Sequence, residues 1–156
     1  MARMTPEEVA AAATAAGWHP GRDIGDQVAA LTRVVTEKYE EEGFPLEPLP
    51  TAVDFLREYG QLRLDKPGDP PDAAVFVPHW IYEESGEDVA ELAANLATRV
   101  FPVGYDTFDR SMILIDETGR FFLLHHTGPY FVGSNTYEAI SCLLRGPLEE
   151  AGNYFV

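Results

Sequence analysis

Four histidines, one cysteine and a large surplus of carboxylates are the groups in this chain that could carry chemistry. A metal site needs several of them to converge. His125 and His126 are adjacent in a predicted strand, and successive strand side chains point to opposite faces, so this pair is not expected to chelate one ion. His19 and His79 lie in separate predicted loops. No two histidines have the helical spacing of H-E-x-x-H, and a single cysteine cannot build a thiolate zinc site. The H-x-E and P-C-x-x-C signature of zinc deaminases is absent. Neither a metal nor a cofactor is therefore expected. For nucleophilic chemistry the candidates are Cys142, Ser134 and Ser141. Cys142 falls in a C-terminal amphipathic helix, where a small, buried, inert thiol is the usual case. There is no G-x-S-x-G elbow and no phosphate-cradling glycine loop. With 26 acidic residues, some carboxylates fall together by chance. Asp106, Asp109 and Asp116 come nearest to an acidic cluster on rigid structure. They read as a surface patch before they read as catalytic residues. No catalytic residue is assigned, and the chain is read as a non-enzyme.

The elements that position these groups centre on Arg99–Gly146. Met112–Asp116 and Arg120–His125 are apolar runs rich in aromatic and branched residues, joined by Glu117-Thr118-Gly119. A short connection ending in Gly predicts a hairpin, because Gly accepts the left-handed backbone that such a turn needs. A third run follows at Tyr130–Val132. Tyr137, Ile140, Leu143 and Leu144 then give a helical pattern, stopped by Gly146-Pro147.

Ahead of this block, Thr5-Pro6-Glu7-Glu8 predicts a capped helix that runs to about Ala16. Trp18–Gly25 reads as a loop in which Trp18 serves as a packing anchor or a ligand contact. Val28, Leu31, Val35 and Tyr39 form the stripe of a helix over Asp26–Glu42, ended by Gly43. A third helix, capped by Thr51, runs to Tyr59. Strands are expected at Gln61–Asp65 and Ala74–Val77, around the turn-rich Lys66–Asp72. An aromatic stretch, Pro78–Tyr82, leads into a helix over Gly86–Thr98. Residues 147–156 form a tail whose apolar end either docks or frays. The patterning gives an α+β fold, read as one domain over residues 1–156.

Net charge is −15, from 26 acidic and 11 basic residues among 156. Phosphate contacts need clustered Lys and Arg, so nucleic acid is not expected as a direct ligand, nor is an anionic membrane surface. A basic protein partner would be steered in by the field. The same surplus also keeps a small protein soluble, and charge alone does not choose. With one cysteine, no apolar span and no signal-peptide pattern, a cytoplasmic location is expected. Glu40-Glu41-Glu42 crowd the C-terminal end of a helix, where the dipole disfavours acids by a few tenths to about 1 kcal/mol each. Glu83 and Glu84 precede a helix, where the dipole favours them.

The motifs ILIDETGRFFLL, FVGSNTYEAI and LLRG, in this order, resemble the third group of the SUKH superfamily of bacterial polymorphic-toxin immunity proteins. The matching positions are Val100–Gly104, Ile115–Arg120, Val132–Ala139 and Arg145-Gly146. Gly17–Ile24 and Ala52–Gly60 are similar to the group's opening segments, so the resemblance covers residues 17–146 and implies that the domain's core lies there. The resemblance implies a curved, mainly antiparallel sheet with helices packed around it. It also implies an immunity protein that neutralises a cognate toxin by direct contact, the toxin often being a nuclease or a deaminase. Gly119, Gly133 and Glu138 then read as turn and cap positions. The expected partner face combines Glu40, Glu41, Glu42, Glu83, Glu84, Asp106 and Asp109, with Trp80 and Tyr82 as aromatic anchors. A scaffold of the same fold for another cellular protein, and a small hydrolase using Asp and His, are the alternatives.

Overall fold

α1 (Pro6–Ala15) begins with the expected reciprocal cap. The Thr5 hydroxyl accepts the Glu8 N–H and the Glu8 carboxylate accepts the Thr5 N–H, so two otherwise unpaired amides are satisfied. α2 (Gln27–Glu42) ends at Gly43, whose φ of +86° suits a residue without Cβ. α3 (Pro50–Tyr59) has Leu49, not Thr51, at its cap position. Pro50 fits the first helical residue, and the Thr51 hydroxyl instead donates to the Asp116 carbonyl at 2.6 Å, tying helix to sheet. β1 (Arg63–Lys66) and β2 (Asp72–Val75) precede α4 (Ser85–Leu96). Then come β3 (Val100–Asp106), β4 (Met112–Asp116), β5 (Phe121–His125), β6 (Gly128–Gly133), α5 (Thr136–Arg145) and β7 (Glu149–Glu150). A 3-10 turn at Ala151–Tyr154 closes the chain. The computed structural model describes residues 3–79 and 82–156, and these counts are of those residues.

The seven strands form one sheet in the order β1-β2-β3-β4-β5-β6-β7, every neighbouring pair antiparallel. The predicted α+β class and antiparallel sheet are what the chain adopts. The β4–β5 hairpin turns at Gly119, where φ is +93°. Its fixed point is Asp116, whose side chain is fully buried. Asp116 Oδ1 accepts the N–H groups of Thr118 and Arg120, each at 2.9 Å, and the Thr118 hydroxyl at 2.8 Å. Asp116 Oδ2 accepts Arg120 Nε–H at 2.7 Å. The D-E-T-G-R run thus specifies its own turn.

β4 is buried along its whole length, so both faces of the sheet are covered. Tyr39 of α2 donates its hydroxyl to Met112 Sδ, whereas Phe55 of α3 meets the ring of Phe121 at 5.1 Å, edge to face. Phe121 pairs with Ile115, three residues from Met112 and hence on the other face. α2 and α3 therefore cover opposite faces, and this is why β4 reads as a continuous apolar run rather than an alternating one. A bulge between Pro102 and Gly104 interrupts the β3–β4 register.

The tail docks. β7 pairs with β6, Tyr154 stacks on Phe131 at 4.1 Å, and the Val156 N–H donates to the Asn95 carbonyl at 3.0 Å. Trp18 is a packing anchor: its ring stacks on Tyr59 and Nε1–H donates to Glu58 at 2.9 Å.

Candidate functional site

α4 carries Asp88, Glu91, Leu92 and Asn95 at spacings that place them in one stripe. This stripe forms one wall of a cleft of about 700 Å³. The opposite walls come from the β3–β4 turn, through Asp109, Arg110 and Ser111, and from the end of β5 and the turn after it, through Leu124, His125 and His126. Tyr82 and Phe155 add aromatic surface. The cleft is thus apolar at Leu92 and Leu124 and acidic at Asp88, Glu91 and Asp109.

Its polar groups are held in place by the fold. The Tyr82 hydroxyl donates to Asp88 Oδ2 at 2.7 Å. Burial pushes the Tyr82 hydroxyl pKa up, and the neighbouring Asp88 carboxylate raises it further, so Tyr82 stays a donor. Asp109 Oδ1 accepts the Ser111 N–H at 3.1 Å and the Ser111 hydroxyl at 2.8 Å. Its other oxygen faces His125 Nε2 at 3.1 Å. The Thr127 N–H donates to His125 Nδ1 at 3.1 Å, which leaves Nε2 to carry the proton toward Asp109. The Nε2 contact thereby ties the end of β5 to the β3–β4 turn, while Nδ1 serves the turn that follows β5.

The histidine geometry corrects one expectation. β5 ends at His125 and His126 belongs to the turn, so strict alternation lapses. The two rings lie against each other with centroids 3.9 Å apart rather than on opposite faces. Among the described residues there is no group of three or more His, Cys, Asp or Glu placed to hold a metal ion. Burial raises the Cys142 thiol pKa, and its Sγ–H donates to the Pro147 carbonyl at 3.1 Å, so the reactive thiolate is disfavoured. Ser141 is buried and its hydroxyl accepts the Met4 N–H.

Of the residues expected at a partner face, the cleft gathers Tyr82 and Asp109. Glu83 and Glu84 are exposed just ahead of α4, and Glu40 and Glu41 are exposed at the end of α2. Glu42 is different: Oε1 accepts the Gly86 N–H at 3.3 Å, and Oε2 is buried. It occupies the N-terminal end of α4, which supplies the structural reason for an acid that its own helix dipole disfavours. Trp80 lies outside the described residues.

Asp106 is a correction. It is buried, 3% exposed, and pairs with Lys66, which also contacts Asp72 Oδ2 at 3.2 Å. Burial raises the Asp106 pKa and its hydrogen bond with Asp72 adds to this, against the pull of Lys66. Burial also works against the Asp72 anion, but Asp106 and Lys66 outweigh it and hold Asp72 down to about 2. A carboxylate this enclosed is an internal brace and no part of a surface patch.

The sheet meander, with helices on both faces, is thus closed at one end by a cleft whose walls carry acidic and aromatic side chains. The chain belongs to the SUKH-3 immunity protein family, whose model matches residues 5–146. No curated protein and no solved structure matches the chain. Among the described residues, no helix is long and apolar enough to cross a membrane.

Proposed function

We propose that this immunity protein binds a cognate bacterial polymorphic toxin directly and blocks it, acting by contact and not by catalysis. The observation that carries the reading is the cleft, where Asp88, Glu91 and Asp109 stand around an apolar floor on a chain of net charge −15. Such a surface suits a basic protein. The toxin would then be a nuclease or a deaminase, enzymes that hold nucleic acid through Lys- and Arg-rich surfaces. The exposed Glu40, Glu41, Glu83 and Glu84 extend the negative field and steer the encounter, while Tyr82 and Asp109 belong to the contact itself. Asp106 and Glu42 hold the structure behind it. The complex would form in the cytoplasm, where such a toxin acts.

The test is coexpression of the chain with toxin domains from its own host. Growth should be rescued against one of them, and the purified pair should bind with an association rate that falls as salt rises. Glu91→Lys should slow association several-fold while leaving the fold intact. Absence of rescue against every such domain, or rescue without binding, would overturn the reading.

A further inference from the structure

Phe108 sits at the tip of the β3–β4 turn and is 63% exposed, against 38% for Phe44 and 37% for Phe155. Turns of this kind are ordinarily built from Gly, Asn, Asp and Ser, and a phenyl ring held out in water gains nothing for the fold. The turn is also unusually well fastened. The Phe108 N–H donates to Asp72 Oδ1 at 3.0 Å and to Asp106 Oδ1 at 3.1 Å. Asp72 Oδ1 also accepts the Thr107 hydroxyl at 3.1 Å, and the Thr107 N–H donates to the Ala73 carbonyl at 3.0 Å. Behind them Lys66 joins the two carboxylates. Across the base of the turn the Asp106 N–H donates to the Ser111 carbonyl at 2.9 Å.

This inward network fixes the backbone from which Phe108 projects. A rigid exposed aromatic loses little freedom on binding, and interface energy concentrates in such residues. The next three residues, Asp109, Arg110 and Ser111, line the cleft, so Phe108 adjoins a rim of mixed charge whose acids are Asp109 and, across the cleft on α4, Asp88 and Glu91. We infer that Phe108 is an anchor for the toxin, inserting into an apolar socket bordered by Lys and Arg on the toxin surface while the rim acids meet those cations. The assignment of a toxin as the occupant rests on the reading above. The half-buried Lys66–Asp72–Asp106 cluster then has a positioning role, holding the turn that presents the ring.

The experiment uses the full chain and the toxin domain whose lethality it suppresses, with affinity measured by titration calorimetry and dissociation by surface-based kinetics. Phe108→Ala should weaken binding about tenfold or more, chiefly through faster dissociation. Phe108→Tyr should stay within about threefold, since the ring and its presentation remain. Val34→Ser removes another exposed apolar side chain, on α2, and should leave affinity unchanged; unfolding curves for all three variants should overlay the parent. Wild-type neutralisation with Phe108→Ala binding within about twofold would overturn the anchor while leaving the immunity reading intact. Failure of the wild-type chain to bind any host toxin domain would overturn both. Self-association of the chain that Phe108→Ala abolishes, with toxin affinity unmoved, would assign the turn to a second copy and overturn the proposal.

Discussion

Replacing Asp116 with Ala should be among the most damaging single changes in the chain, although it removes only one carboxylate from a turn. Asp116 Oδ1 accepts two backbone amides and a hydroxyl, and Oδ2 accepts the Arg120 side chain. The side chain is fully buried and Arg120 is 26% exposed, so water can take over only part of what is lost. Charge-assisted amide bonds contribute about 1 kcal/mol or somewhat more each, and the ion pair about 1–2 kcal/mol here, giving about 3–4 kcal/mol for the alanine variant. With a urea slope of about 2 kcal/mol/M, the unfolding midpoint should fall by about 1.5–2 M at unchanged slope. Asp116→Asn keeps an acceptor for the amides and loses the charge facing Arg120, so about 1–2 kcal/mol is expected. An alanine variant within about 1 kcal/mol of the parent, or an asparagine variant as damaged as the alanine one, would refute this account of the turn.

Gly104→Ala should cost about 2–3 kcal/mol in thermal unfolding, because the new Cβ would lie 2.3 Å from the Val75 carbonyl oxygen and 3.1 Å from Phe76 Cα, both backbone atoms. Burial pushes the Tyr39 hydroxyl up to about 12, above its unfolded value of about 10, so the stabilisation it gives is complete below about pH 10 and is lost as pH rises to about 12. A shift of this size corresponds to roughly 2–3 kcal/mol, and Tyr39→Phe should flatten that part of a stability–pH curve measured by urea midpoints. Glu42→Ala should destabilise by about 1–2 kcal/mol, since it leaves the Gly86 N–H at the start of α4 unpaired. Glu40→Ala and Glu41→Ala, on exposed side chains, should move the same urea midpoint little.

The hairpin at Ile115–Arg120 was legible because everything it needs is local: a buried Asp, a Gly two residues before the strand resumes, and amides within four positions. The α1 cap and the Gly43 stop are local in the same sense. Gly133 and Glu138 were also readable as structural. A Cβ at Gly133 would lie 2.6 Å from the Ala139 nitrogen, and the Glu138 carboxylate accepts the Ser134 N–H. What escaped the sequence was set by long-range partners. Asp106 and Asp116 look alike in a string, but Asp106 meets a lysine 40 residues away. Glu42 looked like surplus surface charge because its partner, the α4 N-terminus, is 44 positions on. β7 is two residues long and exists because β6 offers it an edge. At the cleft, the spacing of Asp88, Glu91, Leu92 and Asn95 is visible in the sequence, but the residues that face this stripe come from strands and turns that only the fold brings to it. Phe108 is visible in the sequence as a large aromatic among turn residues, but its exposure is set by the fold.

Inhibition by contact is tested by titrating purified cognate toxin activity with the purified chain. Binding through the cleft face predicts that activity falls in proportion to added chain and vanishes at a fixed stoichiometry, with Phe108→Ala and Glu91→Lys shifting the curve to higher concentration. Toxin activity that persists under excess folded chain would contradict it.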